Sequence, residues 1–286
     1  MKDILERINR LLDRVEERLP AIDRGPDWDA SAFRWRSNAL RAVPRPHEIR
    51  PDDLLHVDEQ KALLRRNTGQ FVAGAPANNA LLWGSRGTGK SSLVKAMLPE
   101  FRDRGLRLVE VDPHDLVDLP DIVEPMAGRE ERFLLFADDL SFEAGDASYK
   151  ALKAMLDGSI AAAPPNVLIY ATSNRRHLMP EFQRENLEAR IVDGEIHHGE
   201  SVEEKISLSE RFGLWLAFHP FNQDQYLAVV DHWCNRLGRG SETEKRRTEA
   251  LRWALSRGSR SGRVARQFAQ DWVGRLQAVN REKHVL

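Results

Sequence analysis

The segment from Gly84 to Ser91 constrains the fold of this chain more than any other part of its sequence. Its residues are Gly84, Ser85, Arg86, Gly87, Thr88, Gly89, Lys90 and Ser91, which fit the pattern G-x-x-x-x-G-K-[ST] at every required position. An apolar run at 80–83 precedes the segment, and a helical pattern at 91–98 follows it. A strand, a glycine-rich loop and a helix in this order predict a loop that cradles phosphate groups.

The chemistry of phosphate binding explains the spacing of this loop. Its glycines allow a tight turn in which successive N–H groups point at phosphate oxygens. The helix that follows directs the positive end of its dipole at the same place. The lysine of such a loop, here Lys90, reaches the β- and γ-phosphates, and the hydroxyl of Ser91 binds Mg²⁺. We therefore expect residues 84–92, which include Ser92, to bind the phosphates of a nucleotide.

Strands and helices alternate from residue 79 onward, which predicts an α/β fold. Short apolar runs predict five strands, at 80–83, 106–111, 133–137, 167–171 and 212–218. After Pro220 the strand patterns stop. Three helices are expected there, at 222–237, 242–257 and 262–279. The prediction is a five-stranded, mostly parallel sheet with helices on both faces, plus a small all-helical C-terminal lid domain.

The first 50 residues differ from the rest of the chain. Residues 2–19 place apolar side chains at helical spacing between charges, which predicts an amphipathic helix. Residues 20–50 are rich in Pro, Arg and Asp and contain Trp28 and Trp35, which look exposed. They favour an extended linker over the domain surface. The expected division is an N-terminal helix and linker at 1–50, a P-loop α/β nucleotide-binding domain at 51–220 and a helical lid domain at 221–286.

The composition excludes several classes of protein. The chain has 286 residues, of which 41% are hydrophobic and 30% charged, as in a globular protein and unlike a disordered or collagen-like one. Its single cysteine, Cys234, cannot form an internal disulfide. No apolar run approaches the about 18 residues of a membrane-spanning helix, and the charged N-terminus lacks the pattern of a secretory signal. We expect a cytoplasmic location and no membrane contact.

Charge is unevenly distributed along the chain. Residues 236–286 contain 13 Lys or Arg and 5 Asp or Glu, a net charge of +8. The other residues contain 30 Lys or Arg and 39 Asp or Glu, a net charge of −9. One interpretation is that the two parts attract each other, within the molecule or between neighbours. The others are a nucleic-acid or phosphate surface near the C-terminus and solvated helix faces without a special role.

A second candidate site follows the strand predicted at 133–137. Asp138 comes directly after this strand, and Asp139 follows it. A carboxylate in that position helps to hold Mg²⁺ in nucleotide sites of this kind. The alternative is that Asp138 only caps the segment that follows the strand.

With these two motifs placed, the chain resembles the AAA+ ATPases over roughly residues 54–279, which implies their P-loop NTPase fold. The run Thr172-Ser173-Asn174 ends the predicted fourth strand and is similar to that family's polar sensor. The resemblance implies that Asn174 orients the attacking water. Hydrolysing relatives commonly carry Glu as the catalytic base at the position of Asp139. Asp139, or Glu143 in the following turn, is therefore implied as the base here.

Two further segments resemble AAA+ features. The run Leu208-Ser209-Glu210-Arg211-Phe212 is similar to the segment that carries the arginine finger, which implies that Arg211 reaches the γ-phosphate of a neighbouring subunit. The run Ser261-Gly262-Arg263 is similar to the second sensor. Arg263, or Arg266 as the alternative, would then contact the nucleotide of its own subunit. The residues where the family usually contacts the base are Leu54, Leu55, His56 and Val57.

A closer resemblance is to a bacterial family of uncharacterised AAA+ ATP-binding proteins. It is carried by residues 67–71, 76–79, 84–92, 137–143 and 172–178. That family also has the pair of aspartates found here at Asp138 and Asp139. It has no settled biological role, so the resemblance implies the ATP-binding machinery and leaves the partner open.

These resemblances imply that ATP binds with Mg²⁺ between the α/β domain and the lid. Hydrolysis to ADP and phosphate would drive remodelling or assembly of an unknown partner. The resemblance also implies a homo-oligomer with active sites shared between subunits. The alternatives are an ATP-dependent switch or adaptor with slow or no hydrolysis, a nucleic-acid remodeller or loader, and a small-molecule kinase that uses the same loop.

Overall fold

The computed structural model describes residues 25–142, 146–157, 163–175, 190–192, 195–197, 208–238 and 244–283. Within these residues the strands are β1 Ala32–Arg36, β2 Ala39–Ala42, β3 Ala80–Gly84, β4 Leu106–Val111, β5 Arg132–Ala137, β6 Val167–Ser173, β7 Arg190–Val192, β8 Glu195–His197 and β9 Leu214–Phe218. The helices are α1 Asp58–Val72, α2 Lys90–Phe101, α3 Leu119–Val123, α4 Ala147–Leu156, α5 Gln223–Arg236, α6 Glu244–Ser256 and α7 Gly262–Lys283. The amphipathic helix expected at 2–19 lies outside the described residues.

A seven-stranded sheet with the order β2-β1-β4-β5-β6-β3-β9 organises the α/β part of the molecule. Its neighbouring strands are parallel, except that β1 and β2 are antiparallel. Strands β5 and β6 are almost wholly buried, as expected where helices cover both faces of a parallel sheet. Because these strands run in one direction, β3, β5 and β6 end at the same edge of the sheet. We call this edge, at Gly84, Ala137 and Ser173, the site edge.

The predicted five-stranded sheet has two more strands in the structure, and β7 and β8 form a separate antiparallel pair that the sequence did not predict. The sequence pattern of residues 20–50 predicts a linker, but these residues contain β1 and β2, which extend the sheet beyond β4. Phe33 and Trp35 of β1 are 1% and 6% exposed, so Trp35 is not the surface residue that the sequence indicated. Its indole nitrogen donates to Asp118 at 3.0 Å. The many Pro and Arg residues around β1 obscured its strand pattern in the sequence. The position of β1 in the sheet depends on its pairing with β4.

Helices cover both faces of the sheet. Helices α1 and α2 lie on one face, where Leu64 and Val94 are fully buried. The segment 113–126 and helix α4 lie on the other face, where Ile122 and Leu152 are fully buried. The two apolar layers hold the strand ends in fixed positions at the site edge.

A buried polar network anchors α1 to the sheet. The side-chain amide of Asn67 donates to the carbonyl of Asn78 at 2.8 Å and to the hydroxyl of Tyr170 at 3.0 Å. Thr68 and Tyr170 share a hydroxyl–hydroxyl hydrogen bond of 2.9 Å, and burial raises the pKa of Tyr170 to about 12. Asn79 accepts from the backbone N–H of Ile169 at 2.8 Å. These residues of the segments 67–71 and 76–79 therefore serve the architecture that positions β3 and β6.

The three C-terminal helices form a separate apolar core, as the sequence predicts. Helix α5 begins with a capping box between Asn222 and Gln225. Tyr226 of α5 and Phe268 of α7 are among the buried side chains of this core. The domain boundary at residue 220 remains a prediction. Among the helices of the described ranges, none is long and apolar enough to cross a membrane.

Candidate nucleotide-binding site

Two glycines shape the loop between β3 and α2. Gly84 has a φ of 126° and lies against β9, so close that a Cβ would come 2.1 Å from the carbonyl oxygen of Phe218. The amide of Ser85 donates to the same oxygen at 3.1 Å. Gly87 has a φ of 74°, and a Cβ there would lie 2.7 Å from Oγ of Ser261 at the start of α7. A side chain at either glycine would push the loop away from β9 or from the lid.

Lys90 is 6% exposed and extends back along its own loop. Its ammonium donates to the carbonyl oxygens of Gly84 and Ser85 at 2.7 and 2.8 Å, and to Oδ1 of Asn174 at 3.1 Å. Burial lowers the pKa of Lys90 to about 8, although the charges of Asp139 and Asp138 partly oppose this shift. A desolvated cation of this kind gains strongly from an anionic ligand.

Asp138 joins the loop to two strands. Its Oδ1 accepts from Oγ of Ser91 at 2.6 Å and from Oγ1 of Thr172 at 2.6 Å. The backbone N–H of Asp139 donates to the same threonine hydroxyl at 2.8 Å. The structure therefore brings together the two predicted Mg²⁺ ligands, Ser91 and Asp138. Sequence reasoning assigned no role of its own to Thr172, which lies on β6 two residues before Asn174.

Asn174 lies between the loop lysine and the second aspartate. Its Oδ1 accepts from Lys90, and its Nδ2 donates to the carboxylate of Asp139. Asp139 has a φ of 57°, an uncommon left-handed conformation for a residue other than glycine. The two hydrogen bonds place the predicted sensor and the predicted base side by side. The alternative base, Glu143, lies outside the described residues.

A cavity of about 680 Å³ opens from the loop toward the lid. From the α/β side it is lined by Arg86, Gly87, Thr88, Gly89, Lys90, Ser91, Ser92, Asp138, Asp139, Thr172 and Asn174. From the C-terminal helices it is lined by Phe221, Val229, Trp233, Arg236, Gly262, Arg263, Arg266, Gln267 and Gln270. The loop residues predicted to bind phosphate thus share one cavity with the lid.

Of the four residues predicted to contact the base, two line the cavity and two do not. Leu54 and Leu55 line the cavity. Val57 is 4% exposed and belongs to the apolar core beneath the sheet. His56 packs edge-on against Phe221, with 6.0 Å between the ring centroids. The cavity wall continues instead with His47, Glu48 and Ile49.

Arg263 and Arg266 both face the cavity from α7. The backbone N–H of Arg263 donates to the carbonyl of Gly87 at 3.3 Å, which fixes the start of α7 on the phosphate loop. The guanidinium of Arg266 lies 4.7 Å from the ring centroid of Trp233 on α5. Arg263 is therefore the arginine nearer the phosphate loop, and Arg266 lies on the α5 side of the cavity.

A polar contact that the sequence did not predict joins the α/β part to the lid. Asp53, which is 9% exposed, contacts Nε2 of His232 at 3.0 Å and Nη2 of Arg236 at 3.2 Å. Both partners lie on α5, and Asp53 and Arg236 also line the cavity. This contact holds α5 against the 3-10 turn Pro51–Asp53.

Arg211 lies away from the loop of its own chain. It precedes Leu214, the first residue of β9, whereas Phe218 is the last residue of that strand. Arg211 forms an ion pair with Asp157, which follows α4. The register pairs Leu214 with Ala80 and Phe218 with Gly84. The length of β9 therefore separates Arg211 from the phosphate loop. Its role as an arginine finger remains a prediction that requires a neighbouring copy.

Solved structures with the same architecture show which known fold this chain has. The chain is similar to a variant of RuvB from Thermotoga maritima, with a TM-score of 0.53 and 14% identity over 78% of this chain and 63% of that one. It is also similar to the Orc1 protein of Aeropyrum pernix in complex with DNA, with a TM-score of 0.53 and 14% identity over 81% of this chain and 62% of that one. The fold, together with the phosphate loop, is that of an AAA+ protein.

The chain belongs to the family described as "Protein of unknown function (DUF815)", whose sequence profile matches residues 28–276. A comparison with curated protein sequences finds no match. The chain spans slightly less than two thirds of the length of the two similar structures. What these similarities show is the fold.

Proposed function

We propose that this protein is an AAA+ ATPase that hydrolyses ATP to ADP and phosphate and uses the cycle to remodel or assemble a partner. The observation that carries the proposal is the hydrogen-bonded network at the site edge. It links Lys90 through Asn174 to Asp139, and Ser91 to Asp138. A cation, two carboxylates and a polar amide converge beside a phosphate-type loop, which is the set of groups that phosphoryl transfer to water requires.

The residues of the site fit ATP and Mg²⁺. Lys90 is a buried ammonium held by the carbonyl oxygens of a loop whose shape suits anions. Ser91 and Asp138 supply two oxygen ligands, and Mg²⁺ is commonly held by one or two side chains together with substrate phosphates. When bound there, Mg²⁺ would supply positive charge that offsets the charge of the phosphate oxygens.

Each remaining group has a role in the proposed hydrolysis. A water molecule attacks the γ-phosphorus in line, and the bond to the β–γ bridging oxygen breaks to release ADP. Asn174 orients the water, and the carboxylate of Asp139 accepts its proton. Lys90 stabilises the negative charge of the phosphates. Arg263, whose helix begins on the loop at Gly87, contacts the nucleotide from the lid.

Arg211 of a neighbouring copy would complete the site in a homo-oligomer. An arginine finger typically contributes about 10³–10⁵ in rate, so a single copy should be nearly inactive. Mixing two inactive variants tests this sharing directly. The Lys90→Ala variant lacks the loop lysine but keeps Arg211. The Arg211→Ala variant keeps the loop lysine but lacks Arg211. Activity of the mixture well above the sum of its parts supports sharing, and activity equal to the sum argues against it.

A second candidate function is an ATP-dependent switch with slow turnover. It is favoured by Asp139, whose side chain is one methylene shorter than the Glu expected of a base and whose backbone is left-handed. A switch would bind ATP tightly and change assembly or lid position with little hydrolysis.

Phosphate release and ATP binding, measured on the same preparation, separate the two functions. An ATPase releases phosphate continuously with Mg²⁺ and ATP, and Lys90→Ala abolishes the release. A switch binds ATP with an affinity that Lys90→Ala weakens, but it releases no more phosphate than that variant. Failure to bind ATP at all would contradict both functions.

A further inference from the structure

A groove on the outer side of the phosphate loop is distinct from the nucleotide cavity. This basic groove encloses about 540 Å³ and is lined by Arg86, Pro220, Leu251, Leu255 and Arg260. Leu255 exposes 82% of its surface, more than any other large apolar side chain of the described residues. Arg252, one helical turn before Leu255, is exposed on the same side of α6. The groove thus combines an uncovered apolar side chain with guanidinium groups.

Arg260 in the basic groove and Arg252 beside it are not neutralised within the described part of the chain. Arg252 and Arg260 form no ion pair there with a carboxylate, whereas Arg275 on α7 pairs with Glu249 at 3.2 Å and with Asp271 at 2.9 Å. The segment 236–286, to which they belong, carries a net charge of +8. The groove therefore presents uncompensated positive charge.

A surface of opposite character follows β4. This acidic ridge, residues 112–124, contains five Asp or Glu and no Lys or Arg. Val117 lies in its middle with 49% of its surface exposed. Asp121 and Glu124 are exposed, Asp115 is half-buried, and none of the three pairs with a basic side chain in the described ranges. The ridge and the groove are built alike but have opposite charge. Each has one exposed apolar side chain, and the charges around it are negative in the ridge and positive in the groove.

We propose that the acidic ridge of one copy docks in the basic groove of the next copy. The ridge follows β4, whereas the groove lies beyond β3 and β9, with β5 and β6 between them in the sheet. Each copy therefore presents the two surfaces on different flanks. A contact of this kind repeats head to tail, and it closes into a ring or continues as a filament. The proposal rests on the proposed function, because it supplies the assembly that a shared active site requires.

The proposed contact also lies close to the nucleotide. Arg86 and Thr88 of the phosphate loop line both the basic groove and the nucleotide cavity. The loop is thus the wall between a neighbour in the groove and the phosphates in the cavity. Docking of the ridge and binding of a nucleotide would therefore act on the same loop, and each would change the affinity for the other by the same factor.

The apolar side chains favour a second copy over a nucleic acid as the occupant. Leu255 and Val117 gain from covering each other, and neither gains from a sugar–phosphate backbone. The aromatic rings at the groove are not free to stack on a base. Phe221, which lines it, is 8% exposed and packs edge-on against His56, and the nearby Trp253 packs against Phe268 and Arg257. The ridge supplies the complementary charge within the same chain.

Charge reversal in two full-length variants tests the pairing. The groove variant is Arg252→Glu with Arg260→Glu, and the ridge variant is Asp115→Lys with Asp121→Lys. Sedimentation with Mg²⁺ and ATPγS measures the protein concentration at half assembly. We expect each variant alone to need at least about tenfold more protein than the wild type, because like charges then face each other. An equimolar mixture should recover assembly, because the acidic groove of one variant accepts the basic ridge of the other.

The controls separate folding from docking. Arg252→Lys with Arg260→Lys keeps the charge and should assemble like the wild type, and thermal unfolding shows that each variant is folded. Normal assembly of both reversal variants, or folded variants that do not recover on mixing, would overturn the pairing and leave the shared site standing. A wild type that never assembles would overturn the shared site as well. Normal assembly of the groove variant together with lost binding of a labelled DNA duplex would identify a nucleic-acid surface instead.

Discussion

A single side-chain amide connects Lys90 to Asp139. Asn174 accepts from the ammonium of Lys90 at 3.1 Å through its oxygen and donates to Asp139 through its nitrogen. The three residues come from the loop after β3, the turn after β5 and the end of β6. If Lys90 moves when phosphate binds, the amide of Asn174 can pass this movement to Asp139, the predicted base.

Replacing Asn174 with alanine removes both of these contacts. We expect kcat for ATP hydrolysis to fall by about 10²–10³, because the water and the base lose the group that orients them. KM should change little, since Lys90 and the loop still bind the phosphates. Asn174→Asp is the matched variant, because it keeps the acceptor for Lys90 and loses the donor to Asp139. Steady-state phosphate release with full kcat in either variant would contradict the role of Asn174.

Asp139→Asn tests the proposed base. Asn tolerates the left-handed backbone at this position, so loss of activity would report chemistry and not folding. We expect kcat to fall by about 10²–10⁴ while ATP binding is kept. Asp139→Glu should retain more activity than Asp139→Asn because it restores a carboxylate. Wild-type turnover in Asp139→Asn would place the base elsewhere, with Glu143 as the next residue to replace.

Thr172→Val tests the support of the Mg²⁺ site. Thr172 is 1% exposed, and its hydroxyl both donates to Asp138 and accepts from the backbone N–H of Asp139. Valine keeps the shape and removes both hydrogen bonds. We expect the Mg²⁺ concentration for half-maximal turnover to rise by about tenfold, since such supporting contacts tune metal affinity. Thr172→Ser keeps the hydroxyl and should titrate like the wild type, and identical titrations of all three proteins would refute the role.

The lowered pKa of Lys90 predicts pH-dependent ATP binding. The pKa is about 8 in the empty site because of burial, and bound phosphates raise it again by restoring a countercharge. Above that pH the protein must take up a proton to bind ATP. The affinity should therefore be level below it and fall as pH rises, by up to about tenfold per pH unit. Calorimetric titrations at several pH values, with Lys90→Arg as the control that stays charged, measure this fall. A level affinity for the wild type up to about two pH units above the pKa of the lysine would contradict it.

The sequence predicted those parts of the candidate site that consist of residues next to one another in the chain. The loop at 84–91 and the pair Asp138 and Asp139 follow from strict spacing beside apolar strands, and the structure places them together. Thr172 was assigned no role because a threonine in a buried strand gives no signal of its own, and its partner Asp138 lies 34 positions away. The contact between Asp53 and His232 spans 179 positions and is visible only once the lid is packed.

The sequence predicted those strands and helices whose hydrophobic pattern is long and not interrupted by charged residues. Strands β4 and β6 and the C-terminal helices were found at nearly their observed bounds. Strands β1 and β2 were missed because each is short and interrupted by arginines, so their place depends on pairing with β4 and not on local pattern. Arg34 shows the reason, since its ion pair with Glu110 of β4 makes a charged residue acceptable within a strand.

The most direct test of a hydrolytic site shared between copies is ATP turnover per subunit as a function of protein concentration. The length of β9 separates Arg211 from the phosphate loop of its own chain, and Arg211 pairs with Asp157, so the proposed function requires that Arg211 act on a neighbouring copy. We predict that turnover per subunit rises steeply with concentration and that Arg211→Ala removes the rise. Substantial turnover that is independent of concentration and insensitive to Arg211→Ala would contradict a shared site.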